Sequence, residues 1–200
     1  MMDYFAGLAR TGNVVDDVTR FLEAAGRVDT LAHCRAVAVQ AEELAVRYQA
    51  DVGRSRLAGV CHDLAAVVPR GEAVAVARVF GLTPDPVERT APVLLHGPIA
   101  AAVLHRKLGV MDSDVLDAVK YHTTSRAGAA PLELILFVAD KIALDPAAPI
   151  RDFVPAVRAA AKESLQGAAF VYLDWVITHA GRLGWTLHPN VLAARDELRC

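Results

Sequence analysis

The chain has 200 residues, 54% of them apolar and 22% charged, which is enough apolar material for one sizeable core. Its formal net charge is −2 with the charges interspersed, which excludes the broad basic surface that nucleic acid or an anionic membrane requires. The early Asp3 argues against a signal peptide, the apolar runs are too short to cross a bilayer, and the three cysteines include no CxxC pair. These features predict a globular cytoplasmic protein without a disulfide frame.

Apolar residues recur at helical spacing between Gly and Pro breaks, which predicts an all-α fold. The first clear helix is 30–49, where Thr30 can cap the N-terminus of an apolar stripe. A second helix is expected over roughly 54–67, stopped by Pro69. The segment 81–98 contains four prolines and is expected to be mostly loop. The remaining predicted helices are a short one at 71–80, one from Pro98 to Leu108, and those at 114–121, 131–143, 155–165, 167–181 and 190–198, with a polar loop at 122–130.

Several imidazoles and carboxylates fall within or beside these apolar helices, where an unpaired polar group is costly. Taken singly, each has a structural interpretation, such as a hydrogen-bonded core histidine or an ion pair with an arginine. One shared metal site would explain all of them together, and this ligand set suits iron, manganese or zinc better than copper(I) or calcium. The candidate ligands are His33, His62, Asp63, His96, His122 and Asp140.

The order His33, His62-Asp63 and Asp140 resembles the H…HD…D signature of the HD-domain superfamily of metal-dependent phosphohydrolases. The segments LLHGP at 94–98, YHTTSRAG at 121–128 and FVADKI at 137–142 make the chain similar to the YqeK family, the symmetrical hydrolases of diadenosine tetraphosphate. The resemblance implies an HD-domain helical bundle. It predicts a single domain, 1–200, with a metal-site core at about 28–145 and a helical C-terminal part at 150–200.

The resemblance also implies a ligand set and a reaction. His33, His62, Asp63 and Asp140 would hold one ion, and His96 and His122 would hold a second, with Asp63 bridging. The family's metal is iron, and manganese stays open on the residues alone. Two ions can activate a bridging hydroxide for attack on a phosphorus, with Asp63 and His62 as the catalytic residues. In the family, the cut falls at the middle of the tetraphosphate and yields two ADP.

Substrate phosphates need cationic or hydroxyl donors. Arg126 is the first candidate, because a guanidinium can grip phosphate through two parallel hydrogen bonds. Thr123, Thr124 and Lys141 are further candidates, although a solvated arginine, capping threonines and a surface lysine are the alternative interpretations. Two positions depart from the family pattern: Ala66 stands where many HD phosphohydrolases have a lysine, and Ser125 replaces the glycine of a usual TTGRAG loop.

The predicted function is therefore a metal-dependent hydrolase of dinucleoside polyphosphates, whose partner is a small-molecule nucleotide rather than nucleic acid or a membrane. Two alternatives stay open: a non-catalytic nucleotide-sensing HD module, which the lack of a lysine at position 66 leaves possible, and a two-iron oxygenase. The sequence leaves the oligomeric state open, with a homodimer as one alternative.

Overall fold

The computed structural model describes residues 3–199, and within them the protein has eleven α-helices, three short 3-10 helices and no strand. The predicted all-α fold is confirmed. The α-helices are α1 Val14–Ala24, α2 Val28–Arg47, α3 Val52–Cys61, α4 Ala73–Val79, α5 Pro86–Thr90, α6 His96–Arg106, α7 Ser113–Tyr121, α8 Pro131–Ile142, α9 Val154–Ala160, α10 Leu165–Leu183 and α11 Pro189–Leu198. The 3-10 helices are Leu64–Val67, Arg70–Glu72 and Pro92–Leu95.

Helix α8 lies at the centre of the bundle. All of its residues from Leu132 to Ile142 are buried, as expected for a helix with apolar residues around most of its circumference. It packs against α2, α3 and α7, which precede it in the sequence, and against α9 and α10, which follow it. The polar residues of α8, Glu133, Asp140 and Lys141, therefore need partners inside the protein.

The C-terminal helices cover the same core helix. Helices α9 and α10 both contact α8, and α11 packs on α10. Aromatic rings of Phe153, Tyr172 and Trp175 lie against one another between α9 and α10, with ring centroids 4.8 Å apart for Phe153 with each of the other two. These contacts join the C-terminal part to the core, and the organisation as one domain over 1–200 stays a prediction.

Several predicted helix limits were wrong, and two of them matter for the site. The helix predicted at 54–67 ends at Cys61, and the chain continues as a 3-10 helix from Leu64. The segment 81–98 is more helical than expected, because a proline in the first turn of a helix loses no hydrogen bond. It holds α5, capped by Asp85, and α6 begins at His96 rather than after Pro98.

Two further limits differ near the N-terminus. Helix α2 begins at Val28, so Thr30 lies inside the helix and does not cap it. Helix α1 was not predicted; Asn13 caps it by accepting a hydrogen bond from the Asp16 amide. None of the helices described in residues 3–199 is long and apolar enough to span a bilayer.

Gly59→Ala is expected to lower the free energy of unfolding by about 1–3 kcal/mol, the usual range for overpacking. A Cβ at position 59 would lie 2.6 Å from the Ala38 Cα and 2.9 Å from the Ala38 nitrogen, so α2 and α3 would have to separate. Chemical denaturation measures the change.

Gly181→Ala, inside α10, is the matched control. No atom lies within 4 Å of a Cβ built there, and the change is expected to stabilise the protein by about 0.5–1 kcal/mol through helix propensity. Equal effects of the two substitutions would contradict the close approach of α2 and α3.

Candidate metal centre

Six polar side chains from separate parts of the chain meet at one place in the bundle. Three of them lie at helix ends: His62 directly follows α3, His96 opens α6 and His122 directly follows α7. The other three are His33 in α2, Asp63 just before the 3-10 helix at Leu64, and Asp140 near the end of α8. The structure thus brings together every ligand that the sequence predicted.

The helix ends orient three of the histidine rings in the same way. Each ring donates from Nδ1 to the backbone carbonyl three residues earlier, over 2.8, 2.5 and 2.7 Å for His62, His96 and His122. The Gly59 and Val119 carbonyls belong to the last turns of α3 and α7, where carbonyl groups lack an amide partner within the helix. Because Nδ1 carries the proton, the Nε2 lone pair of each neutral ring points into the cluster, which is the tautomer that a metal ligand needs.

The possible ligand atoms form two groups that share Asp63. In the first, His33, His62 and Asp63 offer atoms within 4.8 Å of one another, and in the second Asp63, His96 and His122 do so. The Oδ2 atom of Asp63 lies 3.4 Å from His62 Nε2. Its Oδ1 atom lies 3.3 Å from His96 Nε2 and 3.8 Å from His122 Nε2. Each oxygen of one carboxylate thus faces a different group, as in a bridging ligand.

Asp140 lies beside the first group. Its Oδ1 is 3.0 Å from His33 Nε2 and 3.8 Å from His62 Nε2. The buried ammonium of Lys141 donates to the other oxygen of Asp140 and to the carbonyl oxygen of His122, the latter over 3.3 Å. Lys141 therefore connects Asp140, beside the first group, with His122 of the second group. Its ammonium lies over the Tyr172 ring, 5.1 Å from the centroid.

Two features of the cluster call for positive charge. The Nε2 atom of His62 is buried and has no hydrogen-bond partner within residues 3–199, which is costly for a nitrogen in the protein interior. The Nε2 atoms of His96 and His122 lie 2.8 Å apart, although both are acceptors once each Nδ1 donates. A cation in each group would satisfy all three nitrogens, so the donor set fits two metal ions.

The electrostatics of the cluster favour the ligand forms of two residues. Burial alone would raise the pKa of the Asp63 carboxyl, but the neighbouring His62 and His96 hold it well below its ordinary value. Burial, together with His96 and His62, lowers the pKa of His122 well below the usual histidine value. Asp63 is therefore ionised and His122 neutral at neutral pH, which are the states that coordinate a metal.

His62 shows how strongly this position attracts a cation. Burial alone would lower its pKa, but the Asp63 carboxylate beside it raises that pKa well above the ordinary value. In the absence of a metal, the carboxylate draws a proton onto His62, because an opposite charge within a few ångströms favours the charged form. A metal ion can supply the same compensation.

The predicted substrate residues occupy different surroundings. The Thr123 hydroxyl lies 3.2 and 3.3 Å from Nε2 of His122 and His96, directly beside the second group. The Thr124 hydroxyl is buried and donates to the Ser125 carbonyl oxygen over 2.9 Å. Ser125 has a φ of 54°, in the left-handed region that favours glycine. This backbone conformation explains why the TTGRAG loop of the family that the sequence resembles has a glycine at this position.

Arg126 lies with its guanidinium against carboxylates. Its Nε and Nη2 donate to the two Glu133 oxygens, each over 2.8 Å, and Nη2 also donates to Asp117 over 3.0 Å. The hydrogen bonds with Glu133 raise the pKa of Arg126 further above its ordinary range. The guanidinium also covers the Tyr121 ring, 4.5 Å from its centroid. Arg126 thus ties the loop after His122 to α7 and α8, and a phosphate contact by this residue stays a prediction.

Two cavities that the sequence did not reveal adjoin the cluster. One, the C-terminal cavity, has a volume of about 360 Å³ and is lined by residues that include Thr123, Tyr172, Trp185 and His188. The other, the Arg70 groove, has a volume of about 290 Å³, and its lining includes Asp63, Ala66, Arg70, Val93 and His96. No motif marked Trp185 or Arg70, because both reach the site only through the packing of helices and turns.

Residues 30–145 match the HD domain family, and the chain belongs to this family. A crystal structure from Clostridium acetobutylicum, described as a predicted HD superfamily hydrolase involved in NAD metabolism, is 30% identical in sequence, with a TM-score of 0.84 over 92% of this chain and 96% of that one.

Within the HD domain family, the chain lies in the branch that contains the symmetrical bis(5'-nucleosyl)-tetraphosphatases. A protein of that name from Halalkalibacterium halodurans is 33% identical over 83% of this chain and 87% of its own length. Another from Bacillus subtilis (strain 168) is 36% identical over 55% of this chain and 59% of its own length. The family membership predicted from the sequence motifs is confirmed.

Proposed function

We propose that this protein is a metal-dependent phosphohydrolase that cleaves diadenosine tetraphosphate at its middle and releases two ADP. The observation that carries the proposal is the pair of ligand groups joined by the two oxygens of Asp63. The names of the relatives in the same branch support the choice of substrate. The proposed ions are two irons, with manganese as the alternative.

Each side chain of the cluster has a defined task in this proposal. His33, His62, Asp63 and Asp140 would hold one ion, and Asp63, His96 and His122 would hold the other. Two bound ions supply a water of lowered pKa and positive charge for the phosphoryl oxygens. Asp63 sets the separation of the two groups. The backbone hydrogen bonds of His62, His96 and His122 keep the Nε2 atoms of these three rings directed inward. The Thr123 hydroxyl, beside His96 and His122, is placed to donate to a phosphoryl oxygen.

The C-terminal cavity supports a nucleoside substrate. Thr123 lines this cavity and also lies beside the second ligand group, so the cavity opens next to the proposed reacting phosphorus. Its wall contains the aromatic side chains of Tyr172 and Trp185. Any nucleobase can stack on such a ring, because every base has a flat π-face. We propose that one adenosine of the substrate occupies this cavity.

The experiment that tests the function combines elemental analysis with anaerobic product chromatography. We expect two transition-metal ions per chain and ADP as the sole nucleotide product from diadenosine tetraphosphate, with no turnover after chelation. ATP and AMP as products would contradict cleavage at the middle. Tight nucleotide binding without turnover in the metal-loaded protein would favour the sensing module, and a requirement for oxygen would favour the oxygenase.

A further inference from the structure

The Arg70 groove borders the metal centre directly. Its lining includes the proposed ligands Asp63 and His96, so a molecule in the groove lies against both ligand groups. Val93 lines both this groove and the C-terminal cavity. The 3-10 helix Pro92–Leu95 therefore borders both spaces, and a ligand that crosses the metal centre has room to extend into each of them.

Arg70 is the cationic residue of this arrangement. Among the described residues that line the two spaces, it is the only Arg or Lys. Its side chain is exposed at the start of the 3-10 helix Arg70–Glu72. Arg70 takes part in none of the ion pairs formed within residues 3–199. Arg126, by contrast, is paired with Glu133 and Asp117. The guanidinium of Arg70 is therefore available to an anion in the groove.

We propose that Arg70 binds the polyphosphate of the second nucleotide half in this groove, while the first half occupies the C-terminal cavity. This inference rests on the proposed function, since cleavage at the middle of a dinucleoside tetraphosphate requires space for an ADP on each side of the reacting bond. The planar guanidinium can hold phosphate oxygens through two parallel hydrogen bonds. Arg70 thus supplies positive charge where the groove has no other cationic side chain among its described lining residues.

Ala66 provides a direct way to test whether charge is what matters. The Ala66 amide donates to the Asp63 carbonyl oxygen over 2.9 Å, so Ala66 lies one 3-10 turn after Asp63. Residues three apart in a 3-10 helix point to the same side, and Ala66 also lines the groove. A lysine at position 66 would therefore bring an ammonium into the same space that Arg70 serves.

The experiment measures kcat and KM for diadenosine tetraphosphate with metal-loaded variants. Arg70→Ala is expected to raise KM about tenfold and to change kcat by less than about twofold, because the contact is made equally in the ground state and the transition state. The double variant Ala66→Lys with Arg70→Ala is expected to recover KM to within about threefold of wild type. Arg78→Ala is the matched control, since Arg78 is exposed on α4 and is not among the residues that line the groove.

Binding of ADP to the metal-loaded protein, measured by calorimetry, gives a second readout that does not depend on turnover. Arg70→Ala is expected to weaken ADP binding, and the lysine at position 66 to restore it. An unchanged KM and ADP affinity in Arg70→Ala would overturn the inference, as would a loss that the lysine does not rescue or that Arg78→Ala shares. Wild-type protein that binds ADP through Arg70 but hydrolyses nothing would refute the proposed function and leave the Arg70 site standing.

Discussion

Asp63→Asn is expected to reduce hydrolysis of diadenosine tetraphosphate by at least about a thousandfold, because both proposed ions lose a shared charged ligand. The carboxylate faces His62 with one oxygen and His96 with the other, whereas an amide offers one oxygen and no charge. Bound metal is expected to fall below one ion per chain. Elemental analysis and product chromatography on the same preparation measure both effects.

Asp29→Asn is the control for this substitution. Asp29 is exposed in the first turn of α2, so its replacement removes the same charge without touching the cluster, and metal content and rate are expected to stay at wild-type levels. Circular dichroism establishes that both variants are folded. Full metal content and activity in Asp63→Asn would show that the paired ligand groups are not the reactive centre.

Lys141→Met is expected to lower the free energy of unfolding of the metal-free protein by about 3 kcal/mol, the lower end of the range for breaking a buried ion pair. Burial alone would lower the pKa of Lys141, but Asp140 raises it above the ordinary value, so the pair is ionised. Methionine keeps an unbranched side chain one atom shorter than that of lysine and leaves the Asp140 carboxylate without its ammonium. Bound metal supplies a replacement charge, and we therefore expect a smaller loss in the metal-loaded protein.

Chemical denaturation with and without bound metal measures this difference. Lys107→Met breaks the more exposed ion pair with Asp3 and is expected to cost less than about 1 kcal/mol in either state. A Lys141→Met variant with unchanged stability but a raised KM would show that the lysine contacts substrate rather than holding Asp140 in place.

The sequence allowed the candidate ligands to be named because polar groups in apolar helices need a reason to be there. Asp140 lies in the run LILFVADKIA, and His62-Asp63 interrupt the apolar run AGVCHDLAAVV, so both positions stood out before any contact was known. The helix limits were harder to predict from the sequence. The extension of α3 to residue 67 was wrong because apolar periodicity continues into the 3-10 helix at Leu64, which hydrogen-bonds differently but presents the same residues to the core.

Arg126 and Arg70 show what could not be read from residue order. Arg126 was the first candidate for phosphate binding because it lies in the loop beside His122. Its guanidinium instead faces Glu133 and Asp117. Arg70 follows a proline in a turn and carries no motif, yet it shares a groove with Asp63. An arginine's role depends on which charges surround it, and those charges come from distant parts of the chain.

The sequence by itself determined the all-α class and singled out the proposed ligand residues, because helical periodicity and the cost of burying polar groups are local properties of the chain. The tertiary structure decided which proposed ligands share a group, that Asp63 faces both groups, and which arginine lines the groove beside them. Those outcomes depend on how α2, α3, α6, α7 and α8 pack and on the direction in which each side chain leaves its helix end.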